Sequence, residues 1–314
     1  ISLFTTIYLF AILGGIQAFF QFRERFTIFN FIAISRPVLV LLVFLLIMFR
    51  NDILSYKTIV VVYTATCALL TIVVVWIYLQ NAEPIKPKNI FSYKYYTYGL
   101  KSILNKILAL LLYSSSIYII NYLGGFEGVA FFFVASSISK MIWVVPDAAG
   151  NLLFPKFLKA KTEKENVRVI EDMIFYGQII LIITILFLLL GKIFLNLFYQ
   201  ESYSKAFIPT LILLIGNQGM VWYKLLSRYF ASKNYWRPLY VSLLLSTSVS
   251  VGLNFILIPI WGIIGSAIAV ATSFWICGIT ISLFLRGSLI GFLTPYPAVM
   301  FFGSKLKIII SKHI

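Results

Sequence analysis

The sequence predicts an all-α, polytopic membrane protein with about nine transmembrane helices in two bundles. Hydrophobic residues make up 61% of the chain and charged residues only 11%, and the mean hydropathy is +0.97, a balance that excludes a soluble domain of this length. The apolar residues are also gathered into runs of roughly 20, the length that crosses a hydrocarbon core as a helix. Because lipid offers the backbone no hydrogen bonds, each run is expected to be helical.

Nine such runs follow one another along the chain. We predict spans at residues 2–20, 28–49, 58–79, 98–122, 127–149, 174–198, 206–227, 239–259 and 262–285. Alternate connections between them hold fifteen and four basic residues. Since cytoplasmic loops carry an excess of lysine and arginine, the richer set is predicted to face the cytoplasm, with Ile1 on the outer side. The same loop pattern accounts for the net charge of +16 without a nucleic-acid partner.

A polar stretch divides the predicted spans into two groups. Residues 81–97 contain two prolines and are predicted to form a cytoplasmic linker. Residues 1–80 would then be three helices of a first lobe, and residues 98–286 a second lobe of six helices. Residues 287–314 carry prolines and a basic tail, and we expect an interfacial or cytoplasmic segment there. Because the chain enters an apolar run directly at Ile1, we expect an amino-terminal portion to precede it in the full-length protein.

Four basic residues interrupt the apolar spans: Arg36, Lys106, Lys140 and Lys224. Charge at membrane depth is costly and usually lines the path of a substrate or an ion. Lys106 and Lys224 lie within a turn or two of a predicted cytoplasmic end, where a long side chain can instead reach the interface. Arg36 and Lys140 lie deeper, and we expect them to line a wet cavity. An arginine fork and a lysine point charge both suit phosphate, so the four residues predict binding of an anionic, diphosphate-bearing substrate.

Asp147 is the single plausible acid inside a predicted span. It could couple transport to a proton or cation, pair with Lys140 about two turns earlier, or cap a helix at the kink made by Pro146. A kink or an ion pair is favoured over coupling. In the seventh span, Asn217 and Gln218 are expected to form hydrogen bonds between helices, with contact to sugar hydroxyls as the alternative.

The sequence contains no recognisable catalytic constellation. The only histidine, His313, lies in the basic tail, no two acids face each other at helical spacing, and there is no glycine-rich phosphate loop. Cys67 and Cys277 lie in apolar spans without metal-ligand spacing. We therefore expect no catalytic residue, no metal and no cofactor. Small residues on one helical face of residues 261–269 predict close helix packing.

Several short motifs in the second lobe resemble those of one known family. Residues 253–267 read Leu-Asn-Phe-Ile-Leu-Ile-Pro-Ile-Trp-Gly-Ile-Ile-Gly-Ser-Ala, similar to an Asn, apolar, Ile-Pro, Gly-x-x-Gly-Ala-Ala signature. Residues 98–102 resemble the family's entry into its second bundle, and residues 153–155 its Leu-Phe-Pro exit from the following hairpin. Residues 128–131 resemble its Gly-x-Tyr hairpin start, with Phe131 in place of the tyrosine. The family is the polysaccharide or O-antigen flippases of the multidrug/oligosaccharidyl-lipid/polysaccharide (MOP) exporter superfamily.

The resemblance implies twelve to fourteen helices in two lobes around a central cavity that works by alternating access, with three helices missing ahead of Ile1. It implies export of a polyprenyl-diphosphate-linked oligosaccharide for surface polysaccharide assembly. The expected partners are that anionic lipid-linked glycan and the bilayer, with other polysaccharide assembly proteins as further candidates. Relatives often place a basic residue and an acid near the start of the second lobe, where this chain has serines at 114–116, so ion coupling there is not carried over.

Two other functions stay open from the sequence. One is a drug or lipid II exporter on the same fold. The other is a membrane-embedded glycan ligase or polymerase, which uses the same donor but needs catalytic residues in a sizeable outer loop. An outer loop longer than about 30 residues would favour the ligase.

Overall fold

A computed structural model of the protein describes residues 2–23, 25–49, 56–81, 93–198 and 201–285. Nearly all of these residues are helical, and none of them lies in a strand. The helices are α1 (Ser2–Phe22), α2 (Phe26–Phe49), α3 (Tyr56–Asn81), α4 (Tyr93–Ser139), α5 (Val144–Lys159), α6 (Glu163–Phe198), α7 (Phe207–Ser232) and α8 (Arg237–Ser282), with short 3₁₀ helices at Lys140–Trp143 and Glu201–Ala206.

Seven helices in the described part of the chain are long and apolar enough to cross a membrane. They are Phe26–Val43, Val60–Gln80, Tyr96–Leu123, Gly125–Lys159, Arg168–Leu189, Ser204–Ser232 and Arg237–Ser282. A shorter apolar helix covers Tyr8–Gln21. The prediction of an all-α, multi-pass membrane protein is therefore confirmed.

The two longest helices, α4 and α8, each reverse direction at a glycine. Gly125 and Gly262 have φ angles of 73° and 56°, in the left-handed region that favours glycine. In α8 the Ser266 hydroxyl donates a hydrogen bond to Asn254 Oδ1 at 2.7 Å, although a straight helix would separate these residues by about 18 Å. In α4 a Cβ at Gly128 would lie 3.2 Å from Ile120 Cγ2, although a straight helix would separate these residues by about 12 Å. Both helices therefore fold back at their glycine, and a straight helix of that length, about 70 Å, would exceed any bilayer.

The chain divides into two compact units, residues 1–90 and 91–314. The described part of the first unit consists of α1, α2 and α3 around a small apolar core, and that of the second consists of α4 to α8 around a larger one. Of the predicted linker 81–97, residues 82–92 lie outside the described residues, whereas residues 93–97 are helical and begin α4. The predicted carboxyl-terminal segment 287–314 also lies outside the described residues.

Helices α7 and α8 approach each other so closely that only glycine fits at the contact. A Cβ atom at Gly216 would overlap Ala271, and one at Gly219 would overlap the Phe274 carbonyl oxygen. At Gly278 a Cβ would overlap the Gly219 carbonyl oxygen. The three glycines therefore bring the backbones of α7 and α8 together, which is how helices associate in lipid, where apolar burial gives no advantage.

A buried polar network fastens the α8 hairpin to α4. The Asn254 side-chain nitrogen donates to Ser116 Oγ of α4 at 3.0 Å and to the Ser250 carbonyl at 2.7 Å, while its oxygen accepts from Ser266. A Cβ at Gly265 would overlap the Leu257 carbonyl, which confirms the close packing predicted for residues 261–269. The asparagine of the signature motif and Ser116 thus have a structural role in this chain.

Helix α6 begins with a capping box formed by Thr162 and Glu165. The Glu165 carboxylate accepts hydrogen bonds from the backbone N–H groups of Lys161 at 2.8 Å and Thr162 at 3.4 Å, and the Glu165 N–H donates to Thr162 Oγ1 at 3.3 Å. The two backbone donors lower the pKa of Glu165 below its ordinary value. This cap holds the start of α6 outside the apolar span, which begins at Arg168.

We expect the cap to weaken in acid. Because the folded-state pKa of Glu165 is depressed, its stabilising effect is complete above the unfolded pKa, about 4.3, and is lost as the pH falls through the folded pKa. Hydrogen exchange should show protection of the Lys161 and Thr162 amides decreasing over that range. Glu165→Gln has no carboxyl group at this position, so the loss of protection that follows Glu165 protonation should be absent in that variant. The same pH dependence in Glu165→Gln would show that Glu165 does not cause it.

Candidate anion-binding site

Lys140 lies near the middle of the apolar span Gly125–Lys159, where the helix changes character. Pro146 has no N–H to donate to the carbonyl of residue 142, and its ring crowds that carbonyl. The turn before the proline is accordingly a 3₁₀ helix, Lys140–Trp143, and α5 begins at Val144. The helix thus changes from α to 3₁₀ just before Pro146, where a kink was predicted, and the 3₁₀ turn that holds Lys140 and Trp143 packs against α7.

Trp143 lies beside two ammonium groups. Lys224 Nζ of α7 is 4.5 Å from the centroid of the indole ring, and Lys140 Nζ is 5.6 Å from it. The ring is buried and also contacts Tyr113 and Phe274, with centroid separations of 5.1 and 5.9 Å. An aromatic face attracts a cation within about 6 Å, so Trp143 stabilises both lysines in an apolar setting.

Asp147 forms an ion pair with Lys224. Lys224 Nζ donates to both carboxylate oxygens, at 2.8 and 2.7 Å, and the side chains are 16% exposed for Lys224 and 48% for Asp147. An ion pair was one of the roles left open for Asp147, but the partner suggested for it, Lys140, is wrong. The 3₁₀ turn advances about 20° more per residue than an α-helix, so over four residues it rotates Lys140 off the face that carries Asp147.

Lys140 is half-buried and makes no ion pair with any described residue. It lines a cavity of about 10 Å³ with Ser136, Ser139, Asn217 and several apolar side chains. Asn217 donates to the Ser139 carbonyl at 2.8 Å, but its buried oxygen has no partner in the described part of the structure. The cavity has room for about one water molecule and none for a diphosphate, so a larger anion would have to approach Lys140 from its exposed side.

The remaining polar residues predicted inside the spans are two amides, Asn217 and Gln218, and two cations, Lys106 and Arg36. Asn217 bonds to Ser139, and Gln218 donates to Thr184 Oγ1 of α6, so the predicted hydrogen bonds between helices are confirmed. Lys106 is exposed on α4 and makes no ion pair with a described residue. Arg36 lies in α2, next to Pro37, and its side chain lies outside the described residues.

Two members of the site are not evident from the sequence alone. Trp143 follows Lys140 by one 3₁₀ turn, and Arg228, which the loop pattern places in a cytoplasmic connection, lies within α7 four residues after Lys224. The i, i+4 spacing of Lys224 and Arg228 on one helical face is the signal that could have predicted the second. The site therefore contains three cations and one carboxylate.

No family model, curated protein or solved structure matches this chain. Within the described ranges no group of three or more histidine, cysteine, aspartate or glutamate residues could hold a metal ion. In the second unit the cations Lys140, Lys224 and Arg228 outnumber the one carboxylate of the site, Asp147, so the site favours an anion.

Proposed function

We propose that the protein is a bacterial inner-membrane flippase that moves a polyprenyl-diphosphate-linked oligosaccharide outward for surface polysaccharide assembly. The observation that supports this most is the Lys140 ammonium at membrane depth, which has no ion-pair partner among the described residues and lies beside a Lys224 that Asp147 already neutralises. A cation in that setting is costly without water or a counter-ion. A diphosphate supplies the missing negative charge, whereas an uncharged sugar would not.

In this proposal Lys140 holds the diphosphate and Lys224 attracts it. The exposed edge of Asp147 keeps Lys224 oriented until a phosphate oxygen competes for the ammonium. The role predicted for Lys106 at the cytoplasmic mouth is compatible with its exposure. The role of Arg36 rests on the sequence alone.

We further propose that the chain crosses the membrane nine times. The seven long apolar helices, the shorter helix Tyr8–Gln21 and the reversal of α8 at Gly262 are consistent with that number. With nine crossings the basic connections lie on one side, as the positive-inside rule requires. The division into two compact units agrees with an exporter of two lobes.

The rival enzyme class, a membrane glycan ligase or polymerase, is less well supported. Six residues separate α2 from α3, and the reversals at Gly125 and Gly262 are single-glycine turns within α4 and α8. None of these connections, all on the predicted outer side, is long enough to carry a catalytic loop. A drug or lipid II exporter on the same fold would share this geometry. Only the identity of the substrate that the full-length protein moves distinguishes it from the proposed flippase.

We expect Lys140→Ala to reduce outward movement of lipid-linked glycan at least tenfold, about 1.4 kcal/mol, because the diphosphate loses its charged contact. The assay compares glycan externalised in membrane vesicles that contain the full-length protein or its variants. Lys140→Arg should retain part of the activity, since it keeps the positive charge.

The matched control is Lys205→Ala, which removes one lysine charge from an exposed pair with Glu127. It should transport as the wild type does. Equal transport by Lys140→Ala, with equal insertion in the membrane, would remove Lys140 from the mechanism. Absence of glycan transport by the wild-type protein would contradict the proposed function itself.

A further inference from the structure

We infer that Arg228 is a second phosphate contact, one helical turn from Lys224, where the anionic group meets the site before it reaches Lys140. The inference rests on the proposed function and extends its binding site.

Helices α5 and α7 place Arg228 one helical turn beyond the ion pair of Asp147 and Lys224. On α7, Arg228 follows Lys224 by four residues, so the two side chains share a face. On α5, Asp147 contacts Lys224, and Gly150, one turn later, contacts Arg228: a Cβ at Gly150 would lie 2.9 Å from Arg228 Nε and 3.2 Å from its Cγ. Gly150 therefore leaves the space that the arginine side chain occupies.

Among the described residues, Arg228 differs from the neighbouring cations Lys224 and Lys233 in having no ion-pair or hydrogen-bond partner. Lys224 is paired with Asp147, and Lys233 donates to the carbonyls of Phe157 and Ala160 at the end of α5, each at 3.3 Å. Arg228 makes no ion pair or hydrogen bond with any residue in the described ranges, although it is half-buried. Its charged neighbour on α7, Lys224, has the same sign.

A half-buried guanidinium with five free donors suits a phosphate, which it can bind through two parallel hydrogen bonds. Lys224 lies one helical turn from Arg228 on the same face of α7, and Lys140 lies beside the same indole ring as Lys224, so a phosphate held by Arg228 has a second cation one turn away. The same chemistry fits the diphosphate of the substrate and the headgroup of an anionic lipid.

The test measures binding of farnesyl diphosphate, a short prenyl diphosphate, to the full-length protein by equilibrium dialysis in neutral detergent. Arg228→Ala should weaken binding about tenfold, and Arg228→Lys should weaken it less, because a point charge keeps the attraction without the fork. Gly150→Ala should also weaken binding, since the new methyl group displaces the guanidinium without changing any charge. The matched control, Gly252→Ala, has open space around its Cβ and should bind as the wild type does.

A second arm separates the two sources of phosphate. The protein is placed in phosphatidylcholine nanodiscs with or without phosphatidylglycerol. Competition by phosphatidylglycerol in the wild type, absent in Arg228→Ala, would assign the contact to lipid headgroups, and lack of competition would assign it to the substrate.

Wild-type affinity of Arg228→Ala, alongside weak binding by Lys140→Ala, would overturn the role of Arg228 and leave the proposed function standing. Failure of the wild-type protein both to bind farnesyl diphosphate and to move glycan would overturn both.

Discussion

Gly219→Ala is expected to lower the free energy of unfolding by about 3 kcal/mol, because a methyl group has no room at the α7 and α8 contact. A Cβ there would overlap the backbone of Phe274 and Trp275, and backbone cannot rotate away as a flexible side chain can. The helices must separate along the whole contact, which also moves Gly278 away from the Gly219 carbonyl. Chemical denaturation of the detergent-solubilised protein, followed by circular dichroism, measures the change.

Gly252→Ala provides the matched control for that measurement. Gly252 lies in α8, and a Cβ there meets no other atom within 4 Å. The substitution should therefore stabilise the protein slightly, by up to about 1 kcal/mol, since alanine is the better helix former. Equal effects of the two substitutions would contradict the close contact of α7 and α8.

Removing one partner of the Asp147 and Lys224 ion pair should cost about 3 kcal/mol, because it leaves a charge without its partner in a largely apolar environment. Lys224→Met keeps the volume of the side chain and removes its ammonium. Asp147→Asn is the complementary change. Removing one partner of a fully buried pair costs about 3 to 5 kcal/mol of stability. We expect the low end of that range because Asp147 is 48% exposed.

The double variant, Lys224→Met with Asp147→Asn, should recover at least half of the loss, because neither charge then remains unpaired. The same denaturation experiment on the four proteins gives the coupling between the two sites. Losses that simply add in the double variant would show that the pair makes no energetic contribution. Lys205→Ala, which breaks an exposed pair, is the control and should change stability by less than about 1 kcal/mol.

Much of the helical organisation could be predicted from the sequence, because the requirements of a membrane span are local. The apolar runs predicted near Gly125 and Gly262 correspond to helices that begin and end at glycines with positive φ. The break at Pro146 was predictable for the same reason, since a proline removes a backbone donor wherever it stands in a helix.

The partners within the site could not be predicted in the same way. Counting two α-helical turns pairs Asp147 with Lys140, but the 3₁₀ turn changes the phase and Lys224, 77 positions away, takes the carboxylate. Arg228 looks like a loop residue until α7 is seen to continue to Ser232. Gly150 has no signal of its own, since its importance depends on the arginine that packs against it.

The sequence by itself determined that this chain folds into long apolar helices able to cross a membrane, with cations inside apolar spans, because both properties follow from side-chain polarity and from a solvent that cannot satisfy the backbone. Only the tertiary structure decided which of those cations is neutralised and which is left without a partner. Lys224 is held by Asp147 whereas Lys140 and Arg228 form no ion pair in the described part of the chain. The physical reason is that a charge pair depends on distances of a few ångströms between different helices, and those distances are set by helix phase and packing.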